Sequence, residues 1–129
     1  MGSIIAVILG GGFGALVRYG FNVGVERSIA PNYPLATLAV NLLGCLIIGF
    51  CWACFERIHI THTFRIFLFT GFFGGFTTFS AYAREGAELL SSGEVFQGLS
   101  YILVSNIAGI LMVFFGIYLC NLFFRFIRV

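Results

Sequence analysis

Residues 70–82 read TGFFGGFTTFSAY and decide the fold, because they are strongly apolar and yet form a poor helix. Two adjacent glycines, Gly74 and Gly75, are followed by two β-branched threonines, Thr77 and Thr78. Glycine and β-branched residues both disfavour a continuous helix. The segment therefore predicts a break within a membrane helix. Backbone groups freed at membrane depth must be buried in protein or line a cavity.

The remaining composition is that of an integral membrane protein. Of the 129 residues, 60% are hydrophobic and 9% are charged, whereas soluble domains average about 45–50% and about 25%. So little charge cannot solvate a globule of this size. All seven basic residues are Arg and all five acidic residues are Glu. A net charge of +2, spread along the chain, gives no nucleic-acid footprint.

Four apolar stretches each meet the length of about 20 residues that a membrane-spanning helix needs. They cover about residues 4–25, 35–55, 64–90 and 95–124 of a single transmembrane domain, residues 1–129. The connections are short, with Pro31 and Pro34 in the first, so no soluble catalytic module fits. The predicted fold class is an all-α membrane protein with four transmembrane helices and a break in the third.

Arginine is almost evenly divided between the two sides of this predicted bundle. An even number of spans puts both termini on one side, together with Arg57, Arg65, Arg125 and Arg128. The other side has Arg18, Arg27 and Arg84. Such a weak positive-inside bias is compatible with dual topology, in which one sequence forms an antiparallel dimer. One arginine assigned to the wrong side would explain the count equally well.

Three pairs of glycines have the G-x-x-x-G spacing that lets two helix backbones approach closely in lipid. They are Gly10 and Gly14, Gly20 and Gly24, and Gly71 and Gly75. We expect a homo-oligomer from these packing faces.

Polar residues inside the spans are the strongest functional signal in so apolar a chain. Thr37 and Asn41 share one face of the second span, and Tyr101 and Ser105 share one face of the fourth. Asn106 is on a different face of that helix. Polar residues of this kind also join helices by hydrogen bonds, and for Asn41 and Ser105 alone that alternative stays open.

After the predicted break, Phe79, Tyr82 and Glu85 recur every three residues, so two rings and a carboxylate share a face. The hydroxyls of Ser80, Ser105 and the other polar positions are donors without formal charge. Aromatic rims are electropositive, and a cation path more naturally uses carboxylates or rings of carbonyls. The residues therefore favour a narrow path for a small anion. Arg18 either snorkels at the end of the first span or supplies positive potential at a vestibule.

Four segments, one from each span, resemble the signatures of the Fluc/CrcB family of small fluoride channels. The resemblance covers nearly the whole chain, and its third-span segment is the most specific. The segments are GGFGALVRY at 11–19, TLAVNLLG at 37–44, GGFTTFS at 74–80, and Tyr101-x-x-x-Ser105.

The resemblance implies a dual-topology antiparallel homodimer in a cell inner membrane, with two fluoride pores. It implies that Phe79 offers its ring edge to fluoride and that Asn41 donates a hydrogen bond to it. The remaining pathway residues would be those of a polar track and its surroundings, with Arg18 at the aqueous entrance: Thr37, Ser80, Tyr82, Glu85, Tyr101 and Ser105. The carbonyls of Gly74 and Thr77 would bind a structural Na⁺ on the dimer axis.

Two positions depart from the family pattern: Tyr82, where a second Phe is common, and Gly109, where the track often continues with Ser. Two other functions stay open on the residues alone. A small drug/proton antiporter needs a membrane-embedded acid, typically in the first helix, and no acid precedes Glu26. A non-conducting subunit predicts no ion flux. No nucleophile–base pair or metal cluster indicates an enzyme.

Overall fold

The computed structural model describes residues 1–26 and 33–127, and within these ranges the fold is entirely helical. The helices are α1 (Gly2–Glu26), α2 (Leu35–Phe55), α3 (His62–Arg65), the π-helix π1 (Ile66–Phe73), α4 (Gly74–Phe76), α5 (Phe79–Ser91) and α6 (Val95–Ile127). Among the described residues, four helical segments, which we call rods, are long and apolar enough to cross a membrane: Gly2–Val25, Leu35–Phe55, His62–Ser91 and Val95–Ile127. The prediction of an all-α chain with four membrane-capable helices is confirmed.

The third rod changes its backbone geometry between Phe76 and Phe79. Thr77 has φ −87° and ψ 158°, and Thr78 has φ −147° and ψ 113°, so both are extended. Helical geometry resumes at Phe79, where the Thr78 hydroxyl accepts a hydrogen bond from the Ala81 amide at 3.3 Å. A Thr side chain that caps the new helix in this way satisfies one of its free N–H groups.

The first half of the same rod contains an eight-residue π-helix, which the sequence does not predict. Its residues read IFLFTGFF, at 66–73. Wide helical turns are rare and occur mostly at functional sites. No motif in these residues distinguishes a π-helix from an α-helix, because the two share the same apolar composition.

Glycines pack α1 directly against the backbone of the third rod. A Cβ atom at Gly10 would lie 2.3 Å from the Phe67 carbonyl oxygen, and one at Gly14 would lie 2.1 Å from that of Phe72. Only glycine permits so close an approach. The G-x-x-x-G spacing of Gly10 and Gly14 is therefore used within one chain. Gly20, in contrast, faces open space.

The α2 and α6 helices are joined in the same way. A Cβ atom at Gly49 would lie 2.2 Å from the Val113 carbonyl oxygen, and one at Gly116 would lie 2.1 Å from that of Leu46. Further along this seam Cys54 and Cys120 are buried against each other as free thiols. One seam thus holds α1 against the third rod, and the other holds α2 against α6.

Arginines of the topology argument lie at both ends of the described part of the bundle. Arg57 donates to the Asn121 side chain and Arg65 donates to the Phe55 carbonyl, so these two mark one end. Arg18 and Arg84 line a common cavity beyond the extended threonines. Arg27, Arg128 and Pro31 lie outside the described residues.

Candidate functional site

A cavity of about 270 Å³ lies beside the extended threonines, between α2, the third rod and α6. Among the described residues, none of those that line it carries a formal charge. Its polar lining consists of amides and hydroxyls, together with the rings of Phe73 and Phe79: Asn41, Thr77, Thr78, Tyr82, Ser105 and Asn106. Such a lining offers neutral hydrogen-bond donors to whatever enters.

Asn41 joins α2 to the extended segment by two hydrogen bonds. Its Oδ1 accepts from the Thr78 amide at 2.8 Å, and its Nδ2 donates to the Thr78 carbonyl at 3.1 Å. An amide nitrogen has two N–H donors. The described residues contain no partner for the second donor, and Asn41 lines the cavity. Asn41 therefore acts as a helix-joining residue and still presents one donor.

Ser105 has a hydroxyl that lacks a hydrogen-bond partner among the described residues, although its oxygen is buried. Serines inside helices commonly donate to the carbonyl four residues earlier, and Ser105 does not. A buried polar atom without a partner costs about 1–3 kcal/mol. Because Ser105 lines the cavity, this cost is recovered when a hydrogen-bond acceptor occupies the cavity.

The aromatic side chains of α5 form a continuous row with α6. The Phe79 and Tyr82 ring centroids are 5.4 Å apart, and those of Tyr82 and Tyr101 are 5.5 Å apart. Phe79 is 78% exposed on the single chain, whereas Tyr101 is fully buried. The exposed rim of Phe79 is available to a second molecule or to an ion.

Glu85 is the centre of a second polar group that lies next to the cavity. Its Oε1 accepts from the Thr37 hydroxyl at 2.8 Å, and its Oε2 accepts from the Tyr101 hydroxyl at 2.9 Å. A guanidinium nitrogen of Arg84 lies 3.7 Å from the same carboxylate. The donors of Thr37 and Tyr101 are thus already used by Glu85. We call these three residues, Thr37, Glu85 and Tyr101, the carboxylate cluster.

A second cavity, of about 440 Å³, is lined by Arg18, the predicted vestibule residue. Arg18, Ser80 and Arg84 line it together with Asn22 and Thr78. Arg84 is paired with the Glu88 carboxylate at 2.9 Å, so the positive potential that attracts anions to this cavity comes mainly from Arg18. Thr78 lines both cavities, so both adjoin the extended segment.

The structure brings Asn41, Phe79, Tyr82 and Ser105 to one cavity, and it brings Ser80 and Arg18 to the other. Sequence reasoning missed several residues that line them: Thr78, Asn106, Asn22 and Arg84. Asn106 lies next to Ser105 in α6 and therefore on a different face, and the cavity is wide enough to reach both residues. Thr78 was visible only as a helix breaker, and its backbone pairing with Asn41 needs tertiary structure.

The carbonyls of Gly74 and Thr77 lose their usual helical partners at the extended segment. In a continuous helix they would accept from the amides of Thr78 and Ala81, four residues later. Those two amides bond instead to Asn41 Oδ1 and to the Thr78 hydroxyl. Free carbonyl oxygens at a helix break are suitable ligands for a hard cation. Within the described residues no group of three His, Cys, Asp or Glu side chains could hold a metal.

Comparison with known proteins gives consistent matches over most of the chain. The family model described as "CrcB-like protein, Camphor Resistance (CrcB)" matches residues 5–117. A protein of Desulfotalea psychrophila named "Fluoride-specific ion channel FluC" is 48% identical over 94% of each chain. Proteins with the same name from Parabacteroides distasonis and Salinibacter ruber are 41% and 42% identical. The Parabacteroides distasonis match covers 91% of each chain, and the Salinibacter ruber match covers 88% of this chain and 86% of the relative.

Proposed function

The chain belongs to the CrcB family of ion channels, and from this premise we propose that it is a passive, fluoride-selective channel of a cell's inner membrane. It is a multi-pass membrane protein and its family is not a family of enzymes. Passive conduction lets fluoride leave a cell in which it accumulates. Fluoride is the ion that the printed names of the relatives specify.

The unpaired Ser105 hydroxyl is the observation that best supports an anion in the 270 Å³ cavity. A hydroxyl, an amide and aromatic rims all present positive hydrogen atoms to an ion. The cavity lining, as far as the structure describes it, has no carboxylate that would bind a cation. Neutral donors hold an anion weakly enough for it to leave, as conduction requires.

Each pathway residue has a role that follows from its hydrogen bonds. Phe79 presents its ring edge to fluoride, and the second N–H of Asn41 donates to it. Ser105 supplies the unpaired hydroxyl. The carboxylate cluster lies alongside, where Thr37 and Tyr101 hold Glu85 in a fixed position.

The positive cavity serves as the aqueous entrance. Arg18 lines it with Ser80, and their charge and hydroxyl concentrate fluoride before it reaches Phe79. Thr78 adjoins both this entrance and the inner cavity.

The proposed assembly is an antiparallel homodimer with two pores. Phe79 and Asn106 are exposed on the single chain, and an amide within a membrane span needs protein cover. A second copy provides that cover. A cysteine introduced at the C-terminus should be labelled from each side of the membrane in about half of the copies, as a topology without strong charge bias requires. Labelling from one side alone would exclude dual topology.

We further propose that the carbonyls of Gly74 and Thr77 hold a structural Na⁺ at the dimer axis. The diverted amides of Thr78 and Ala81 support this site, because carbonyl oxygens suit a hard cation. Ligand binding to the folded state raises its stability. Replacing Na⁺ by a bulky organic cation should therefore lower the melting temperature of the purified dimer. An unchanged melting temperature would remove the sodium site from the proposal.

Fluoride efflux from liposomes that contain the purified protein tests the main proposal. With a potassium ionophore to dissipate the membrane potential, fluoride should leave rapidly and chloride should remain inside. Equal leak of both ions would reject selectivity, and no leak of either would reject the channel. Protein-free liposomes prepared in parallel give the background rate.

A further inference from the structure

We propose that the Tyr82 hydroxyl is an additional donor to the conducted anion and that Asn106 positions it for this role. The inference rests on the proposed function and deepens it, because it assigns a second hydroxyl, beside that of Ser105, to the anion site. Tyr82 and Asn106 both line the 270 Å³ cavity.

Asn106 fixes the orientation of the Tyr82 hydroxyl. The Asn106 Nδ2 atom donates to the Tyr82 hydroxyl oxygen at 2.8 Å and to the Ile102 carbonyl at 2.7 Å. A carbonyl oxygen can only accept a hydrogen bond, so the amide nitrogen must be the atom that faces both partners. The amide thereby uses both of its N–H donors.

The Tyr82 hydroxyl accepts from Asn106 and keeps its own proton to donate. The described residues include no acceptor for that proton. The Glu85 carboxylate, on the same helix, accepts from Thr37 and Tyr101 and not from Tyr82. An anion in the cavity is therefore the acceptor that completes the hydrogen bonding of Tyr82.

The ring of Tyr82 is held on both sides, which fixes the position of its hydroxyl. The Phe79 centroid lies 5.4 Å away and the Tyr101 centroid lies 5.5 Å away. A donor that is already positioned loses little entropy when it binds. The hydroxyl therefore favours a compact, strongly accepting anion over a larger one, since the larger ion cannot approach the same donors as closely.

Two variants test the inference by the concentration dependence of fluoride efflux. Tyr82→Phe removes the donor and should weaken the apparent fluoride affinity about tenfold, the size expected for a hydrogen bond to a charged group. Asn106→Leu keeps the donor without its positioning and should weaken the affinity by a smaller factor. The double variant should resemble Tyr82→Phe alone, because two groups that act through one contact are not additive. Tyr118→Phe is the matched control, since Tyr118 is exposed on the same helix as Asn106 and lines neither cavity.

A spectroscopic measurement separates this inference from the proposed function. Protein labelled with ¹³C at the tyrosine ζ carbons should show a change in the Tyr82 signal when chloride is replaced by fluoride, and Tyr82→Phe assigns that signal. Fluoride flux without a Tyr82 change, or full affinity in Tyr82→Phe, would overturn the inference alone. A Tyr82 change without flux would support the donor and reject the channel.

Discussion

The uncharged cavity and the carboxylate cluster lie side by side and differ in how far their hydrogen bonds are satisfied. Glu85 accepts from two hydroxyls, and the two donors, Thr37 and Tyr101, are buried. In the cavity, the Ser105 hydroxyl has no partner in the described structure. Polar groups with hydrogen-bond partners stabilise helix packing, whereas a buried polar group without a partner indicates a place where a ligand can bind. The contrast supports the proposal that the cluster stabilises the fold and the cavity binds the ion.

The largest expected effect comes from removing the aromatic rim of the cavity. Phe79→Ile keeps an apolar side chain of moderate size but loses the electropositive ring edge. Fluoride efflux should fall about 100-fold, or about 2.8 kcal/mol at about 1.4 kcal/mol per factor of ten. The dimer should persist on size-exclusion chromatography. Phe114→Ile, at an exposed ring of α6, is the control and should conduct normally.

A negative charge placed in the cavity should act in the same direction with a smaller effect. Asn41→Asp keeps the acceptor for the Thr78 amide and loses the donor to the Thr78 carbonyl. The carboxylate repels an anion, so efflux at neutral pH should fall about tenfold. Lowering the pH protonates the carboxylate and should restore part of the flux, measured where fluoride itself stays ionised.

The same substitution at Asn121 serves as its control. Asn121 accepts from Arg57 at the other end of the bundle, so the fluoride flux of Asn121→Asp should not change with pH. A pH-independent loss in Asn41→Asp would mean that the amide matters only as a link to Thr78.

Overpacking the glycine contact between α1 and the third rod should lower the stability of the fold and the fluoride efflux together. At Gly14 a methyl group would lie 2.1 Å from the Phe72 carbonyl oxygen, a fixed backbone atom, whereas at Gly20 it would meet nothing within 4 Å. Overpacking of this kind costs about 1–3 kcal/mol. Gly14→Ala should therefore lower the melting temperature in detergent and reduce efflux in proportion. Gly20→Ala should match the wild type, and equal losses in both would contradict the packing described for α1.

Two variants with the smallest expected effects should distinguish the carboxylate cluster from the uncharged cavity. Thr37→Val removes a hydrogen bond to the carboxylate and should lower the unfolding free energy by about 1 kcal/mol. Ser105→Ala removes no hydrogen bond and relieves the cost of an unpaired buried hydroxyl, so its stability in fluoride-free buffer should not fall, while its fluoride efflux falls several-fold. Melting curves and efflux rates of both variants give the comparison. The opposite pattern, with Ser105→Ala unstable and Thr37→Val non-conducting, would reverse the two assignments.

The sequence predicts this fold well because apolar length alone identifies membrane helices. Four spans follow from that rule, and glycine beside β-branched threonine indicates the region where Thr77 and Thr78 become extended. Helical spacing also groups Phe79 with Tyr82, because it depends only on residues near each other in the chain.

The sequence alone does not show which residues of different helices contact each other. Glu85 bonds to Thr37, a residue 48 positions away, and spacing on one helix cannot predict a contact of that kind. The G-x-x-x-G pattern of Gly10 and Gly14 indicates close packing but not the helix that supplies the partner, which here belongs to the same chain. Asn106 was missed for a related reason, since Tyr82 reaches it from another helix.

The current reversal potential in a planar bilayer tests the central claim most directly. With opposed gradients of fluoride and chloride across the membrane, the current through the purified protein should reverse at the fluoride equilibrium potential. Such a result requires both passive conduction and selection of fluoride over chloride. Reversal at the chloride potential or midway between the two would contradict the account, as would the absence of any current.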